Sequence, residues 1–100
     1  MIRRVVLLRL HAVHRASAAE LGARILALLR SRPMVAGAAV AHRDPALPAE
    51  GDWDLLVTVD LADEAALAAY QTDEVHAAFV REVLAPRVAA RESASLRVAA

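Results

Sequence analysis

Cysteine and lysine are both absent from this sequence, and aromatic residues make up only 3% of it. Without cysteine the chain has no disulfide framework, no thiol nucleophile and no cysteine-ligated metal site. All 12 positive charges are arginines, and 12 acidic residues balance them. Because there is no net positive charge and no basic run, we do not expect a nucleic-acid-binding surface.

The apolar part of the composition is large but consists mostly of small side chains. Hydrophobic residues are 58% of the chain, which excludes disorder, yet 25 residues are alanine. One hundred residues predict a single domain (1–100), and so small an alanine-rich domain gains from burying a second face against another copy. The apolar start MIRRVVLLRLHAV is interrupted by Arg9 and is too short for a membrane span or a signal peptide. We therefore expect a cytoplasmic homodimer.

Residues 2–10 (IRRVVLLRL) predict a strand with two apolar faces. Val6 and Leu8 lie on one alternating face, together with Arg4, and Val5 and Leu7 lie on the other. A strand of this kind needs a cover on each side of its sheet.

A helix follows this strand in the sequence. Ser17 and Glu20 form a capping-box pattern, SAAE, which predicts a helix start. Leucine and isoleucine then recur at helical spacing until SRP at 31–33 ends the helix.

The second half predicts strands around a pair of helices. A weak strand at 35–43 and a loop at 43–52 precede the clear alternation of WDLLVTVDL (53–61). Asp63 is predicted to cap a short helix, and Thr72 or Asp73 a second one that reaches about Pro86. Its predicted buried stripe is Val75, Phe79, Val80, Val83 and Leu84. A final strand is predicted at 95–100.

The order of these elements is strand, helix, strand, strand, helix pair, strand, the split βαβ pattern of an α+β ferredoxin-like sandwich. Helices on one side of such a sheet leave the other side bare. A second copy of the chain is the natural cover for that side, giving a homodimer.

The chain resembles the stress-responsive dimeric α/β-barrel (Dabb) family over nearly its whole length. The resemblance rests on MIRRVVLLRL, on WDLLVTVDLADEAALAAYQ and on VHAAFVREVLAPRV. Where the family usually has a histidine in its first strand, this chain has Arg4. Where the family usually has a His-Pro pair in its helix segment, this chain has Asp73 and Glu74.

The resemblance implies a dimeric α/β barrel and a candidate catalytic pair. A plant polyketide cyclase of the family uses a tyrosine and a histidine in this helix segment, and the matching positions are Tyr70 and His76. His76 would act as a general base and Tyr70 would bind a carbonyl oxygen or orient that base. The alternative is a half-buried histidine bound to a backbone carbonyl, with Tyr70 as a core residue.

Three further residues are candidate ligand contacts. Arg4 shares a strand face with aliphatic residues and would meet an anionic or carbonyl-bearing ligand, or else extend into water or pair with a carboxylate. Trp53 would line a pocket or pack in the core or an interface, and Phe79 would line the pocket. No histidine spacing fits a metal site, so no metal and no cofactor are expected.

Two kinds of function remain open. The first is a small-molecule binder or enzyme with a pocket between helices and sheet, performing polyketide-cyclase-like or related carbonyl chemistry in its catalytic form. The second is a non-catalytic dimer with a stress-related role. A cavity that both the Tyr70 hydroxyl and a His76 nitrogen face would favour the first.

Overall fold

The structure, a computed structural model, describes residues 1–48 and 51–99. Its four strands and three α-helices follow the predicted order. The strands are β1 (Ile2–Leu10), β2 (Gly37–His42), β3 (Leu55–Leu61) and β4 (Val88–Arg97). The α-helices are α1 (Ala18–Arg30), α2 (Glu64–Gln71) and α3 (Glu74–Phe79). A 3-10 helix spans Ala12–Ser17, and a π-helical segment spans Val80–Leu84.

The strands form one antiparallel sheet in the order β2-β3-β1-β4. The helices cover one side of it, so the α+β ferredoxin-like prediction is confirmed. β1 lies in the centre and pairs with β3 on one side and with β4 on the other. A single chain therefore gives an open sheet, and a barrel requires two of them.

The core lies between the sheet and α1. Val59 and Leu61 of β3 have no exposed surface, and Leu21, Ile25 and Leu29 of α1 are 2–4% exposed. Helix and sheet approach closely at Gly22, where a Cβ atom would lie 3.1 Å from Val40 Cγ1. Even an alanine there would require the Val40 and Leu55 side chains to shift by a few tenths of an ångström.

Both faces of β1 carry apolar side chains, as predicted. Leu8 and Leu10 are buried beneath the helices. Leu7 lies on the opposite face, where its partner in the β3 register is Leu56, 37% exposed. The helix-free side of the sheet thus has an apolar centre.

Three expectations from the sequence are wrong in detail. Ser17 makes no side-chain capping bond, because the 3-10 helix leads directly into α1 in place of an extended entry. Val75, expected in a buried stripe, is 48% exposed. The last strand begins at Val88, well before residue 95, because it pairs with β1 along almost its full length.

Asp54 was expected on the alternating face opposite Trp53 and Leu55, yet it is 1% exposed and precedes β3, which begins only at Leu55. Its Oδ2 accepts a hydrogen bond from the Leu10 backbone N–H at 2.8 Å. Its Oδ1 accepts one from Arg43 Nε at 3.1 Å, and Arg15 Nε lies 3.5 Å from Oδ2. This carboxylate therefore joins the end of β1 to the start of β3 and to two arginines.

Candidate functional site

Tyr70 and His76 meet beneath the helix pair. Asp63 caps α2 by accepting a hydrogen bond from the Ala66 N–H at 2.9 Å, and the helix directs Tyr70, in its last turn, into the core, where it is 4% exposed. The Tyr70 hydroxyl lies 3.0 Å from His76 Nε2, and the two ring centroids are 4.3 Å apart. The hydroxyl and the imidazole thus form a hydrogen-bonded pair.

The turn between α2 and α3 is held by an ion pair. Asp73 caps α3 by accepting from the Val75 N–H at 3.2 Å. Arg32, in the segment after α1, donates to both carboxylate oxygens of Asp73 at 2.6 and 3.1 Å. The Asp73 side chain is only 7% exposed. Two charge-assisted bonds in this partly enclosed place fix the geometry that brings His76 to Tyr70.

A cavity of about 70 Å³ lies beside the pair, between the helices and the sheet. Val6 and Leu8 of β1 and Leu28 of α1 contribute to its apolar wall. Arg4 and Arg91 join Tyr70 and His76 as its polar lining. The cavity is thus apolar along most of its wall, with its polar groups gathered around the candidate pair.

The π-helical segment shapes the helix side of this cavity. The Ala85 N–H donates to the Val80 carbonyl oxygen at 2.8 Å, a spacing of five residues where an α-helix uses four. Phe79, Val80 and Leu84, in and beside this widened turn, all line the cavity. The sequence predicted an uninterrupted helix to about Pro86, and the widened turn departs from that.

Burial and nearby charges shift the pKa values of both His76 and Tyr70. Burial lowers the pKa of His76 below its ordinary 6.5; Asp73 opposes this shift, while Arg4 and Arg91 reinforce it. Burial raises the pKa of Tyr70 above 10.0, with Arg4 and Arg91 acting in the opposite direction. At neutral pH the imidazole is therefore uncharged and the phenol protonated, the states required of a general base and a hydrogen-bond donor.

Arg4 reaches across to β4. Its guanidinium donates to Ser95 Oγ at 3.1 Å and to Ser93 Oγ at 3.3 Å, both neutral acceptors. Within residues 1–48 and 51–99, neither Arg4 nor Arg91 forms an ion pair. Both positive charges at the cavity are therefore uncompensated by this part of the chain.

Four of the five predicted site residues come together. Arg4, Tyr70, His76 and Phe79 all line the cavity, whereas Trp53 does not. Trp53 lies just before β3 in a surface groove with Leu47 and Pro48, and it borders the helix-free face of the sheet near Leu7. Trp53 thus has no contact with the Tyr70 and His76 pair.

The sequence reading missed two contributors to the site. Arg91 lies in β4, which was placed too late in the chain, and Asp73 was recognised as a cap but not as the partner of Arg32. Alternation along β4 from Arg91 through Ser93 to Ser95 was the available signal for the first. The pairing of Asp73 with Arg32 joins residues that are 41 positions apart, so no local sequence pattern indicates it.

Metal-binding clusters and membrane-spanning helices are both absent from the part of the chain that the structure describes. Among residues 1–48 and 51–99 there is no group of three or more His, Cys, Asp or Glu arranged to hold a metal ion. No helix in that part of the chain is long and apolar enough to cross a membrane.

Comparison with solved structures gives close matches in fold. A Dabb family protein with a ferredoxin-like fold from Mesorhizobium loti is 23% identical, with a TM-score of 0.78 over 99% of this chain and 97% of that one. A dimeric ferredoxin-like protein of unknown function from Thermobifida fusca is 28% identical, with a TM-score of 0.78 over 97% and 90%. A protein from Arabidopsis thaliana is 12% identical, with a TM-score of 0.80 over 100% and 97%.

The comparison with sequences gives no match: no protein-family model and no curated protein matches the chain. The similarity of this chain to known proteins is therefore detected by comparing three-dimensional structures and not by comparing sequences. It confirms the ferredoxin-like fold, which this chain shares with a Dabb family protein, as the predicted resemblance implied.

Proposed function

We propose that this chain, which shares its fold with a Dabb family protein, forms a homodimer in which each subunit binds a small carbonyl compound between helices and sheet. One observation carries the proposal: the Tyr70 hydroxyl and His76 Nε2 lie 3.0 Å apart at the wall of a largely apolar cavity. Apolar pockets with a few convergent polar groups and shifted pKa values are typical ligand sites.

The chemistry that suits this pair is proton transfer at the carbon next to a carbonyl group. In the tautomer with its proton on Nδ1, His76 accepts a hydrogen bond from Tyr70 at Nε2. A tyrosine hydroxyl has one proton to donate, so a bound carbonyl oxygen that takes this bond leaves Nε2 free. Nε2 then accepts a proton from the adjacent carbon, and Tyr70 donates to the enolate oxygen that forms.

The size of the cavity limits the ligand. About 70 Å³ is room for several water-sized groups, whereas drug-sized ligands occupy pockets of roughly 300–1,000 Å³. We infer a ligand of few heavy atoms, or a longer one that places only its reacting end inside. The enolisation or cyclisation suggested by the resemblance to a polyketide cyclase fits the second case.

Binding is tested with two small probes, pyruvate and its uncharged analogue pyruvamide. Each is titrated into the protein while the His76 ring resonances, assigned by their loss in His76→Gln, are followed by NMR. We expect at least one probe to shift these resonances saturably, and Tyr70→Phe to weaken that binding because the carbonyl oxygen loses its donor. If neither probe moves the His76 resonances, the chain is better described as a non-catalytic dimer with a vestigial cavity.

The homodimer part of the proposal rests on the helix-free face of the sheet. Leu7 and Leu56 face each other across β1 and β3 and form its apolar centre, where Leu56 is 37% exposed, while Leu96, 57% exposed, lies on the same face beside Arg3. An ion pair between Arg3 and Asp60, at 2.7 Å, lies toward one end of the same face. An apolar centre with charged groups near its margin is the usual arrangement of a protein interface.

Light scattering should therefore give a dimer mass for the wild-type protein, and Leu7→Glu should give monomers or unfolded chains, because it buries a carboxylate at the centre of the contact. Ala27→Glu, which adds the same charge on the exposed side of α1, should leave the dimer intact. A monomer mass for the wild type at micromolar concentration would contradict the proposal.

A further inference from the structure

The cavity has an unbalanced charge. Arg4 and Arg91 both line it, and the other contacts of the Arg4 guanidinium are the hydroxyls of Ser93 and Ser95. Serine hydroxyls hold the guanidinium in place without neutralising it. Arg4 therefore presents a positioned positive charge beside Tyr70 and His76.

No carboxylate of the described residues lines the cavity, and Asp73 and Glu64 are each paired with another arginine. Asp73 accepts two hydrogen bonds from Arg32, and Glu64 accepts one from Arg97. Each of these pairs has no net charge. Among the described residues, the charge that remains at the cavity is that of Arg4 and Arg91, and it is positive.

A positive site beside the buried Tyr70 and the half-buried His76, both neutral, is suited to an anionic ligand. Guanidinium groups bind carboxylates through paired N–H donors, and such bonds are roughly twice as strong as neutral ones. The small volume favours an anion whose carbonyl and charge are only a bond or two apart. Tyr70 would meet the carbonyl oxygen of such a ligand while the arginines meet its charge.

We propose that the ligand is a small oxo acid whose carboxylate is bound by Arg4 and Arg91 and whose ketone oxygen faces the Tyr70 hydroxyl. This inference rests on the proposed function and adds the substrate class. Proton transfer from the carbon beside the ketone to His76 Nε2 would give an enolate, held by the Tyr70 hydroxyl and by the nearby arginine charges. Return of that proton restores the acid, so the step needs no co-reactant.

The test compares the two probes in variants of the arginines. Pyruvate and pyruvamide have the same number of heavy atoms, and only pyruvate carries a charge. Dissociation constants are measured from the His76 ring resonances in the wild type, Arg4→Gln, Arg91→Gln and Arg30→Gln. Arg30, exposed at the end of α1 and outside the cavity lining, is the control for a general loss of positive charge.

We expect the wild type to bind pyruvate more tightly than pyruvamide. Arg4→Gln and Arg91→Gln should each weaken pyruvate binding about tenfold or more, as for a lost hydrogen bond to a charged group. They should leave pyruvamide nearly unchanged, and Arg30→Gln should alter neither. Bound pyruvate should also raise the pKa of His76, because its charge offsets the arginines that lower it.

The outcomes separate the two proposals. If both probes bind equally and the arginine variants affect them alike, the oxo-acid inference is overturned while the carbonyl-binding pocket stands. If neither probe reaches His76, both fall. If pyruvate loses affinity equally in Arg30→Gln, its attraction is a general charge effect and the assignment of Arg4 and Arg91 is wrong.

Discussion

Replacement of His76 by glutamine should slow the exchange of the pyruvate methyl protons for deuterium about 100-fold or more, the usual contribution of a general base. The exchange, followed by proton NMR in heavy water, reports removal of a proton from the carbon beside the ketone. Because His76 acts in the transition state, the rate should fall far more than the affinity for pyruvate. Tyr70→Phe should have a smaller effect in the same direction, since it removes only the hydroxyl.

The pH dependence of this exchange follows from the environment of His76. The imidazole accepts a proton only when neutral, so the rate should rise with pH as His76 loses its proton and then level off. At pyruvate concentrations well below the dissociation constant the rate reports the free protein. There burial, Arg4 and Arg91 lower the pKa of His76 and Asp73 only partly offsets them, so the midpoint should lie below 6.5. The control is His11→Gln, at an exposed histidine that does not line the cavity.

A rate that stays unchanged in His76→Gln would remove the catalytic part of the proposal and leave the binding part. A midpoint at or above 6.5 in the wild type would mean that the imidazole is not held in its neutral form. Equal losses in His11→Gln and His76→Gln would point to a general effect on the fold.

Replacement of Asp54 by alanine should lower the free energy of unfolding by about 3 kcal/mol. The change removes the acceptor of the Leu10 N–H, and an unsatisfied buried N–H costs about 1–3 kcal/mol. It also removes the partner of Arg43, whose side chain is 29% exposed and so reaches some water. The cost of the broken ion pair is therefore below that of a fully enclosed one.

The matched control is Asp52→Ala, two residues earlier. Asp52 is 73% exposed and pairs with Arg9 at 3.2 Å. Exposed ion pairs typically contribute about 0–1 kcal/mol, so this variant should unfold at nearly the wild-type urea concentration. All three proteins should be compared at one protein concentration, because unfolding of a dimer depends on it. Equal stabilities of the two variants would contradict the structural role of Asp54.

The sequence predicted the features that depend on local periodicity. The two apolar faces of β1 and the buried face of β3 each follow from alternation over a few residues. The pairing of Tyr70 with His76 came from the resemblance to the Dabb family, and the geometry of α2 and α3 agrees with it. These features were predictable because each depends on a short stretch of chain.

The features that were missed depend on tertiary contacts. Asp54 looks exposed in a period-two pattern, but it lies just before β3, where a loop with Arg43 encloses it. β4 was placed too late because this edge strand, VAARESASLR, carries polar residues on both faces. Its length is set by pairing with β1. Arg91 was missed along with it.

The position of β1 in the sheet has a consequence for biosynthesis. β1 is synthesised before β2, β3 and β4, yet its neighbours are β3 and β4, and the contact from Arg4 to Ser95 spans 91 residues. Closing such long loops makes folding slow compared with that of helical proteins of similar size. Until those later strands have been synthesised, a strand with two apolar faces therefore remains unpaired. Protection of residues 2–10 by a chaperone at this stage would raise the yield of folded protein, because exposed unpaired strands aggregate.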